Sequence, residues 1–298
     1  MKKRAFVLIQ LFFLLPAIIF AQENINNFTI GGVGKLNLKR NALYLNINGE
    51  FPQFIKVYNS NLNTMVDFPE TNVTTEAYLN AYAQYGFSDK LNFFVDIPFK
   101  WLNHYNPNIN QENKGFGDIE LGASWQAVGS SLNEKTLGLR LSITAPVGEH
   151  SNLSPYELPL GEGVWQITAA ASGMIPLNTF YVVYFFNYTL RTKNSAEINL
   201  GDQVAGLVSA EKELNTEWGN FSLVSGVELS NYFDNSLNGT NIPNSSEFSA
   251  HLFGGIGYYY QNNLRFSFTM PFTIYKIDGW LTDYSAILKI EYSLDIKN

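Results

Sequence analysis

The fold is decided by the stretch Leu264-Arg265-Phe266-Ser267-Phe268-Thr269-Met270-Pro271-Phe272-Thr273-Ile274-Tyr275, in which apolar and polar side chains alternate. A period of two places successive side chains on opposite faces of a β-strand, so one face here is apolar and the other polar. Residues 283–295 repeat the pattern. Both segments have about the length with which a tilted strand crosses a bilayer. They predict membrane-crossing strands, and a soluble β-sandwich is the alternative that would alternate in the same way.

The rhythm of the connections separates these two alternatives. Twelve strands are predicted at 36–49, 75–87, 91–102, 116–127, 135–146, 164–175, 179–191, 202–214, 219–231, 247–260, 264–275 and 283–295. Tight connections at 88–90, 176–178 and 261–263 interleave with ones that are mostly longer and richer in Asn, Pro, Gly and Ser, at 50–74, 103–115, 147–163, 192–201, 232–246 and 276–282. Outer-membrane barrels alternate tight periplasmic turns with longer external loops. The predicted fold class is therefore all-β, a transmembrane antiparallel up-and-down β-barrel of twelve strands with both termini in the periplasm.

The N-terminal residues have the layout of a secretory signal. Three basic residues, Lys2, Lys3 and Arg4, precede an apolar run from Ala5 to Phe20, and cleavage after Ala21 is predicted. Ile19 stands where a small residue is usual, so an uncleaved anchor helix is the competing interpretation. The predicted domains are a signal peptide at 1–21 and an outer-membrane β-barrel at 22–298, and the predicted location is the outer membrane of a Gram-negative cell.

The composition excludes several classes of function. Without the three basic residues of the signal, the formal net charge of −7 becomes −10, and no nucleic-acid partner is expected for a chain without a basic face. There is no cysteine for a disulfide, a thiolate metal site or a nucleophile. Charged residues make up 15%, against roughly 25% in soluble domains. An open sheet edge cannot be satisfied in lipid, so a closed barrel is the expected way to cross the membrane.

Three motifs between Gly115 and about Asn194 resemble a known family. They are the glycine-flanked run Gly115-Phe116-Gly117-Asp118-Ile119-Glu120-Leu121-Gly122, the strand-ending Thr144-Ala145-Pro146-Val147-Gly148, and Leu158-Pro159-Leu160-Gly161-Glu162-Gly163. They are similar to motifs of the transporter-like barrels named after the meta-pathway of phenol degradation, with Val147 in place of the family's Thr. The resemblance implies a channel related in architecture to those that carry hydrophobic or aromatic compounds through the outer membrane.

The polar phase of each strand is expected to face the lumen, because Arg or Lys on the lipid face at midplane costs roughly 2–4 kcal/mol. The lumen candidates for selectivity are Asp96, Arg140, Glu228, His251, Arg265 and Lys289, and the lumen aromatic candidates are Tyr78, Tyr82, Tyr259 and Tyr275. Two interpretations stay open. These side chains either fill the interior as a salt-bridged network or line a narrow conduit for a small solute.

Enzymatic function is not expected. A barrel lipase would carry its His and Ser on the outer face, whereas His104 and His150 fall in predicted loops and His251 falls on the inward phase. No catalytic residue, cofactor or metal site is predicted. Asp118 with Glu120 offers at most a rim that could bind a cation.

Two functions therefore compete at the level of the sequence. The first is an outer-membrane channel that passes a small solute by diffusion, because only about 14 residues precede the first predicted strand and leave no plug domain. The second is a closed structural or adhesive barrel, with the loop at 50–74 binding partners. Outer-membrane lipid and the barrel assembly machinery are the expected partners besides the solute. The chain ends Ile296-Lys297-Asn298 rather than on an aromatic residue, so inefficient assembly in a foreign host is expected.

Overall fold

The computed structural model describes residues 38–59, 64–67, 73–106, 109–129, 134–150, 157–194, 198–217, 219–243, 245–260, 263–277 and 280–295. The predicted signal peptide and the C-terminal tripeptide lie outside these residues. Within them, no helix is long and apolar enough to span a membrane.

The described residues form seventeen strands. Twelve make a barrel, two short ones pair with barrel strands, and three short ones form a separate small sheet. In chain order they are β1 (Ala42–Asn59), β2 (Thr64–Asp67), β3 (Val73–Gly86), β4 (Leu91–Asn106), β5 (Ile109–Phe116), β6 (Ile119–Val128), β7 (Thr136–Ala145), β8 (Gln166–Leu177), β9 (Phe180–Arg191), β10 (Ile198–Asn199), β11 (Gln203–Thr216), β12 (Gly219–Tyr232), β13 (Ser236–Leu237), β14 (Thr240–Asn241), β15 (Glu247–Tyr260), β16 (Leu264–Ile277) and β17 (Trp280–Asp295).

The sheet closes on itself. Its order is β17-β16-β15-β12-β11-β9-β8-β7-β6-β4-β3-β1, every neighbouring pair is antiparallel, and β1 pairs with β17 from Ala42↔Asp295 to Val57↔Trp280. Closure gives both edge strands a hydrogen-bonding partner, which is what a sheet in lipid requires. The predicted twelve-strand antiparallel barrel is confirmed.

The outer surface of the barrel is apolar. Along β7 the outward positions carry Leu139, Leu141 and Ile143, each 42–59% exposed, while the alternate Ser142 is buried. Aromatic side chains lie exposed near strand ends, where membrane proteins carry their interfacial belts, and include Phe87, Trp101, Trp125, Trp165 and Tyr260. Such a surface is stable only when it faces lipid or another apolar partner.

The two ends of the barrel differ in their connections. One end, called the turn end, has mostly short connections between strands. They are residues 87–90, 129–135, 178–179, 217–218 and 261–263. Asn178 has a φ of 45°, which Asn tolerates in a two-residue hairpin turn. The opposite end, called the loop end, carries the long segments 146–165, 192–202 and 233–246.

Three predicted loops are partly strand, which corrects the prediction. Within 50–74, β1 continues to Asn59 and β2 pairs back onto it. Within 103–115, β5 pairs with β4 from Phe99↔Phe116 to Asn106↔Ile109. In place of 276–282 only residues 278–279 separate β16 from β17. The polar composition of these segments suggested loops, but hairpins that rise beyond the membrane also have polar residues on both faces. The first strand likewise begins at Ala42 rather than at residue 36.

Candidate functional site: the barrel lumen

The inward faces of the strands surround a cavity of about 680 Å³. Its lining combines side chains of all types, with amides and hydroxyls from β8, β9 and β11, apolar groups from β9 to β15, and charged groups from around the barrel. All six predicted selectivity candidates belong to this lining: Asp96, Arg140, Glu228, His251, Arg265 and Lys289. The structure thus places all six on the inward face, and their role in selectivity stays a prediction.

The lumen is packed at the turn end. Five side chains from different strands are at most 2% exposed there, namely Tyr44, Gln84, Met174, Val183 and Ser222. Each lies within a few residues of a tight turn, of the start of β1 or of the end of β17. Close packing of this kind resembles a protein core. The cavity thus lies above a layer of buried side chains.

Arg265 organises one charged cluster at this end. Its guanidinium donates to Glu211 at 2.7 Å and to Ser222 Oγ at 2.9 Å, and it lies 3.5 Å from Glu291. Glu291 also accepts from Tyr44 at 2.6 Å and pairs with Lys289 at 3.2 Å. Arg265 is 6% exposed and Glu211 and Glu291 are each 4% exposed. Buried charges of this kind are tolerated because each has several partners.

Arg140 organises a second cluster on the other side of the lumen. It pairs with Glu120 at 2.9 Å, and its guanidinium lies 3.7 Å from the centroid of the Phe94 ring. Phe94 in turn stacks on Tyr82 with 5.7 Å between centroids. A Cβ on Gly122 would approach the Phe94 ring to 2.3 Å, so the glycine of the family motif makes room for that ring. Arginine over an aromatic face gains a cation–π attraction.

Glu228 and His251 face each other across β12 and β15 in the halves of these strands nearer the loop end. His251 Nδ1 lies 3.1 Å from Thr273 Oγ1, a hydrogen-bonding partner on the neighbouring strand β16. Glu50, on β1, is hydrogen-bonded to Ser285. The salt bridges of the described residues involve neither Glu50 nor Glu228.

The predicted aromatic candidates are placed less consistently. Tyr82 and Tyr259 lie inside, packed respectively against Tyr44 and against the Arg265 guanidinium. Tyr78 lies on the inward phase of β3 and is hydrogen-bonded to Glu76. None of these three belongs to the cavity lining.

Tyr275 is a clear correction. It is 53% exposed and its ring packs on Phe248, on the outer face. A register shift separates the pairs Ala250↔Tyr275 and His251↔Thr273, so one extra residue of β16 is inserted there. A bulge of one residue reverses the faces of all later side chains. Simple alternation along the strand had predicted that Tyr275 points into the lumen.

The aromatic residues that do line the cavity are Phe185 and Phe253. Phe185 was not predicted because β9 reads Phe-Tyr-Val-Val-Tyr-Phe-Phe, with apolar residues on both faces. Phe253 could have been found from its partner, since a Cβ on the opposing Gly226 would meet its ring at 2.5 Å. A glycine opposite an inward aromatic residue thus occurs twice, as Gly122 opposite Phe94 and as Gly226 opposite Phe253.

Asp118, at the start of β6, is the other residue whose role was missed. One carboxylate oxygen accepts the backbone N–H of Gly148 at 3.0 Å and the other accepts that of Glu162 at 2.8 Å. Asp118 thereby joins both ends of the segment 146–165 to the wall, and Gly161 packs against it too closely for any Cβ. The suggestion of a cation rim at Asp118 and Glu120 is wrong, because one binds backbone N–H groups and the other binds Arg140.

No group of three or more His, Asp and Glu side chains capable of holding a metal ion occurs within the described ranges.

Comparisons with known proteins agree with this architecture. The family described as "Putative MetA-pathway of phenol degradation" matches residues 58–275. The crystal structure of the COG4313 outer membrane channel from Pseudomonas putida F1 aligns with a TM-score of 0.72 at 14% identity, over 90% of this chain and 100% of that one. The β domain of the Bordetella autotransporter BrkA aligns with a TM-score of 0.48 at 12% identity, over 85% and 99% of the two chains. No curated protein matches significantly. The likeness to the Pseudomonas putida channel shows a shared twelve-strand fold.

Proposed function

The chain belongs to the family described as "Putative MetA-pathway of phenol degradation", and on this premise we propose that it is an outer-membrane channel through which a small solute diffuses. The observation that carries the proposal is the cavity of about 680 Å³ inside a closed barrel with an apolar exterior. A barrel built only to anchor loops in the membrane would have no need of an internal space lined by carboxylates, amides and aromatic rings. Ligand-binding cavities typically have this size and this mixture of groups.

The solute is small and includes an apolar or aromatic part. Phe185, Leu207 and Phe253 give the cavity an apolar wall. The family's description, which refers to phenol degradation, supports the same class of compound. The selectivity of passage is assigned to the charged lining, above all to Arg140 and Glu228. No catalytic role is assigned to any residue.

The outer membrane is the proposed location, after export by means of the signal peptide at 1–21. Outer-membrane lipid would then surround the exposed apolar side chains of the barrel, and the barrel assembly machinery would insert it. Heat-modifiable mobility of the purified chain on a gel, together with the mass of its N-terminus, tests insertion as a barrel and cleavage after Ala21.

Single-channel conductance in a planar lipid bilayer tests the channel. We expect discrete current steps from the refolded chain, and a change of step size or ion preference in Arg140→Ala and in Glu228→Ala. Lys90→Ala, in an exposed tight turn, is the matched control and leaves the steps unchanged. A silent bilayer from a chain that shows heat-modifiable mobility would contradict the proposal.

The packed layer at the turn end favours a second candidate, the closed structural or adhesive barrel. Met174, Val183 and Ser222 are at most 1% exposed, so the described side chains leave little free cross-section there. In that case binding would reside in the loop-end segments, and silence in the bilayer would be the expected result.

A further inference from the structure

The cavity lining carries an uneven set of charges. Six acidic side chains line it against three basic ones. Every basic side chain is already paired, with distances of 2.9 Å for Arg140–Glu120, 2.7 Å for Arg265–Glu211 and 3.2 Å for Lys289–Glu291. Each pair contains one basic and one acidic side chain, so the three pairs account for three of the six acidic side chains. The lining therefore keeps an excess of three carboxylates.

The three remaining carboxylates have different surroundings. Asp96 lies beside the Arg140–Glu120 pair and interacts with both. Glu50 projects from β1 and Glu228 from β12, and both line the same cavity. Neither has a basic partner among the salt bridges of the described residues. Two unpaired carboxylates that share one enclosed space attract a cation more strongly than either does alone.

An apolar wall adjoins Glu228, and Glu50 lines the same cavity. The inward side chains Phe185, Leu207 and Glu228 are direct neighbours across β9, β11 and β12. Phe253, one inward position from His251 on β15, has its ring over Gly226 of β12. The wall thus offers aromatic and aliphatic contact immediately next to the carboxylate of Glu228, and an aromatic face attracts a cation that lies over it.

From this juxtaposition we propose that the cavity selectively binds small organic cations, with the ammonium group between Glu50 and Glu228 and the apolar body against Phe185, Leu207 and Phe253. A neutral apolar compound would fill the same wall but leave both carboxylates without a counter-charge. An anion would meet the excess negative charge of the lining. The inference deepens the proposed channel function by naming the class of solute, and binding can be measured whether or not current flows.

Three probes that share a phenyl ring separate charge from shape. Benzyltrimethylammonium is a permanent cation, benzyl alcohol is neutral and benzenesulfonate is a permanent anion. The refolded chain is titrated with each in a non-ionic detergent by isothermal titration calorimetry, since a quaternary ammonium detergent would compete. We expect benzyltrimethylammonium to bind at least tenfold more tightly than benzyl alcohol, and benzenesulfonate to give no heat of binding. Equal affinities for the three probes would overturn the proposal.

Two variants locate the binding groups. The double substitution Glu50→Gln with Glu228→Gln keeps the shape of both side chains and is expected to weaken benzyltrimethylammonium at least tenfold. Glu217→Gln, an exposed acid at the turn end, is the control and leaves the affinity unchanged. Phe185→Ala is expected to weaken benzyltrimethylammonium more than tetramethylammonium, which lacks the ring. Unchanged affinity in the double variant would place the cation elsewhere and refute the assignment.

The outcome is distinguishable from that of the channel experiment. Cation binding without single-channel current would leave this site standing and remove the channel function. Current steps without preference for benzyltrimethylammonium in binding would leave the channel standing and remove the site.

Discussion

The two halves of the lumen differ in whether their charged side chains have partners of opposite charge. Near the turn end, Arg265 contacts Glu211, Glu291 and Ser222 in a layer that is almost without exposure to solvent. Farther toward the loop end, the carboxylates of Glu50 and Glu228 face the cavity without basic partners among the described salt bridges. Inward glutamates thus belong to a packed layer in one half of the lumen, whereas in the other half they face the cavity, where a ligand can reach them.

The difference teaches that the presence of charge in a barrel lumen does not by itself indicate a pathway. A charge with several protein partners is part of the packing, and its removal leaves its partners buried and unpaired. A charge without such partners contributes little to stability and is available to a solute. The two halves are therefore separable by stability measurements, and the expected effects span a wide range.

The largest effect is expected for Arg265→Ala. The substitution leaves Glu211 and Glu291, each 4% exposed, without the guanidinium that neutralises them. Breaking a buried ion cluster in this way costs about 3–5 kcal/mol. Urea unfolding of the barrel, followed by tryptophan fluorescence in detergent, measures the loss. Arg40→Ala, at an exposed position, should leave the midpoint where it is. An unshifted midpoint in Arg265→Ala would show that the buried charges at the turn end do not contribute to stability as a packed core would.

The sequence predicted this packed half only in part. Alternation placed Arg265, Lys289 and Asp96 correctly on the inward phase, because one polar face per strand is a strong physical requirement in lipid. Which inward charges pair with one another depends on strand order and register across the whole barrel. Arg265 and Glu211 are 54 positions apart in the chain, and no local pattern connects them.

Local irregularities account for the remaining errors. The bulge in β16 moved Tyr275 to the outer face, and nothing in a run of alternating residues marks where one extra residue is inserted. Phe185 was not predicted because β9 is apolar on both faces, so its sequence does not indicate which side chains point into the lumen. Asp118 was assigned to a rim because its true partners are backbone N–H groups, which leave no trace in the sequence.

An intermediate effect is expected for Asp118→Ala, which releases a loop-end segment held to the barrel through its backbone. Two hydrogen bonds from backbone N–H groups to a carboxylate are lost, and the expected destabilisation is about 2 kcal/mol. The segment 146–165 should separate from the wall while the barrel persists. Limited proteolysis with a Glu-specific protease should then cut at Glu149 or Glu157 faster than in the parent chain.

Asp89→Ala is the matched control for that cleavage. Asp89 also accepts a backbone N–H, that of Arg40 at 3.2 Å, but at the turn end. Its loss should not expose residues 146–165. If both variants were cut at the same sites and rates, the clamp assigned to Asp118 would be refuted.

The smallest effect on the free energy of unfolding is expected for Glu228→Gln. Comparison with Glu211→Gln tests whether an inward carboxylate in each half of the lumen contributes to stability. Both substitutions replace an inward carboxylate of neighbouring strands by an amide of the same shape. Glu211→Gln removes the charge that pairs with Arg265 at 2.7 Å and should lower the free energy of unfolding by about 1.5–3 kcal/mol. Glu228→Gln removes a carboxylate that has no basic partner among the described salt bridges, so the change should stay within about 0.5 kcal/mol or favour the folded state. Urea unfolding midpoints of the two variants, measured under the same conditions, test this difference in stability. A loss above about 2 kcal/mol in Glu228→Gln would make Glu228 part of the packing and would remove the physical basis for a ligand at that carboxylate.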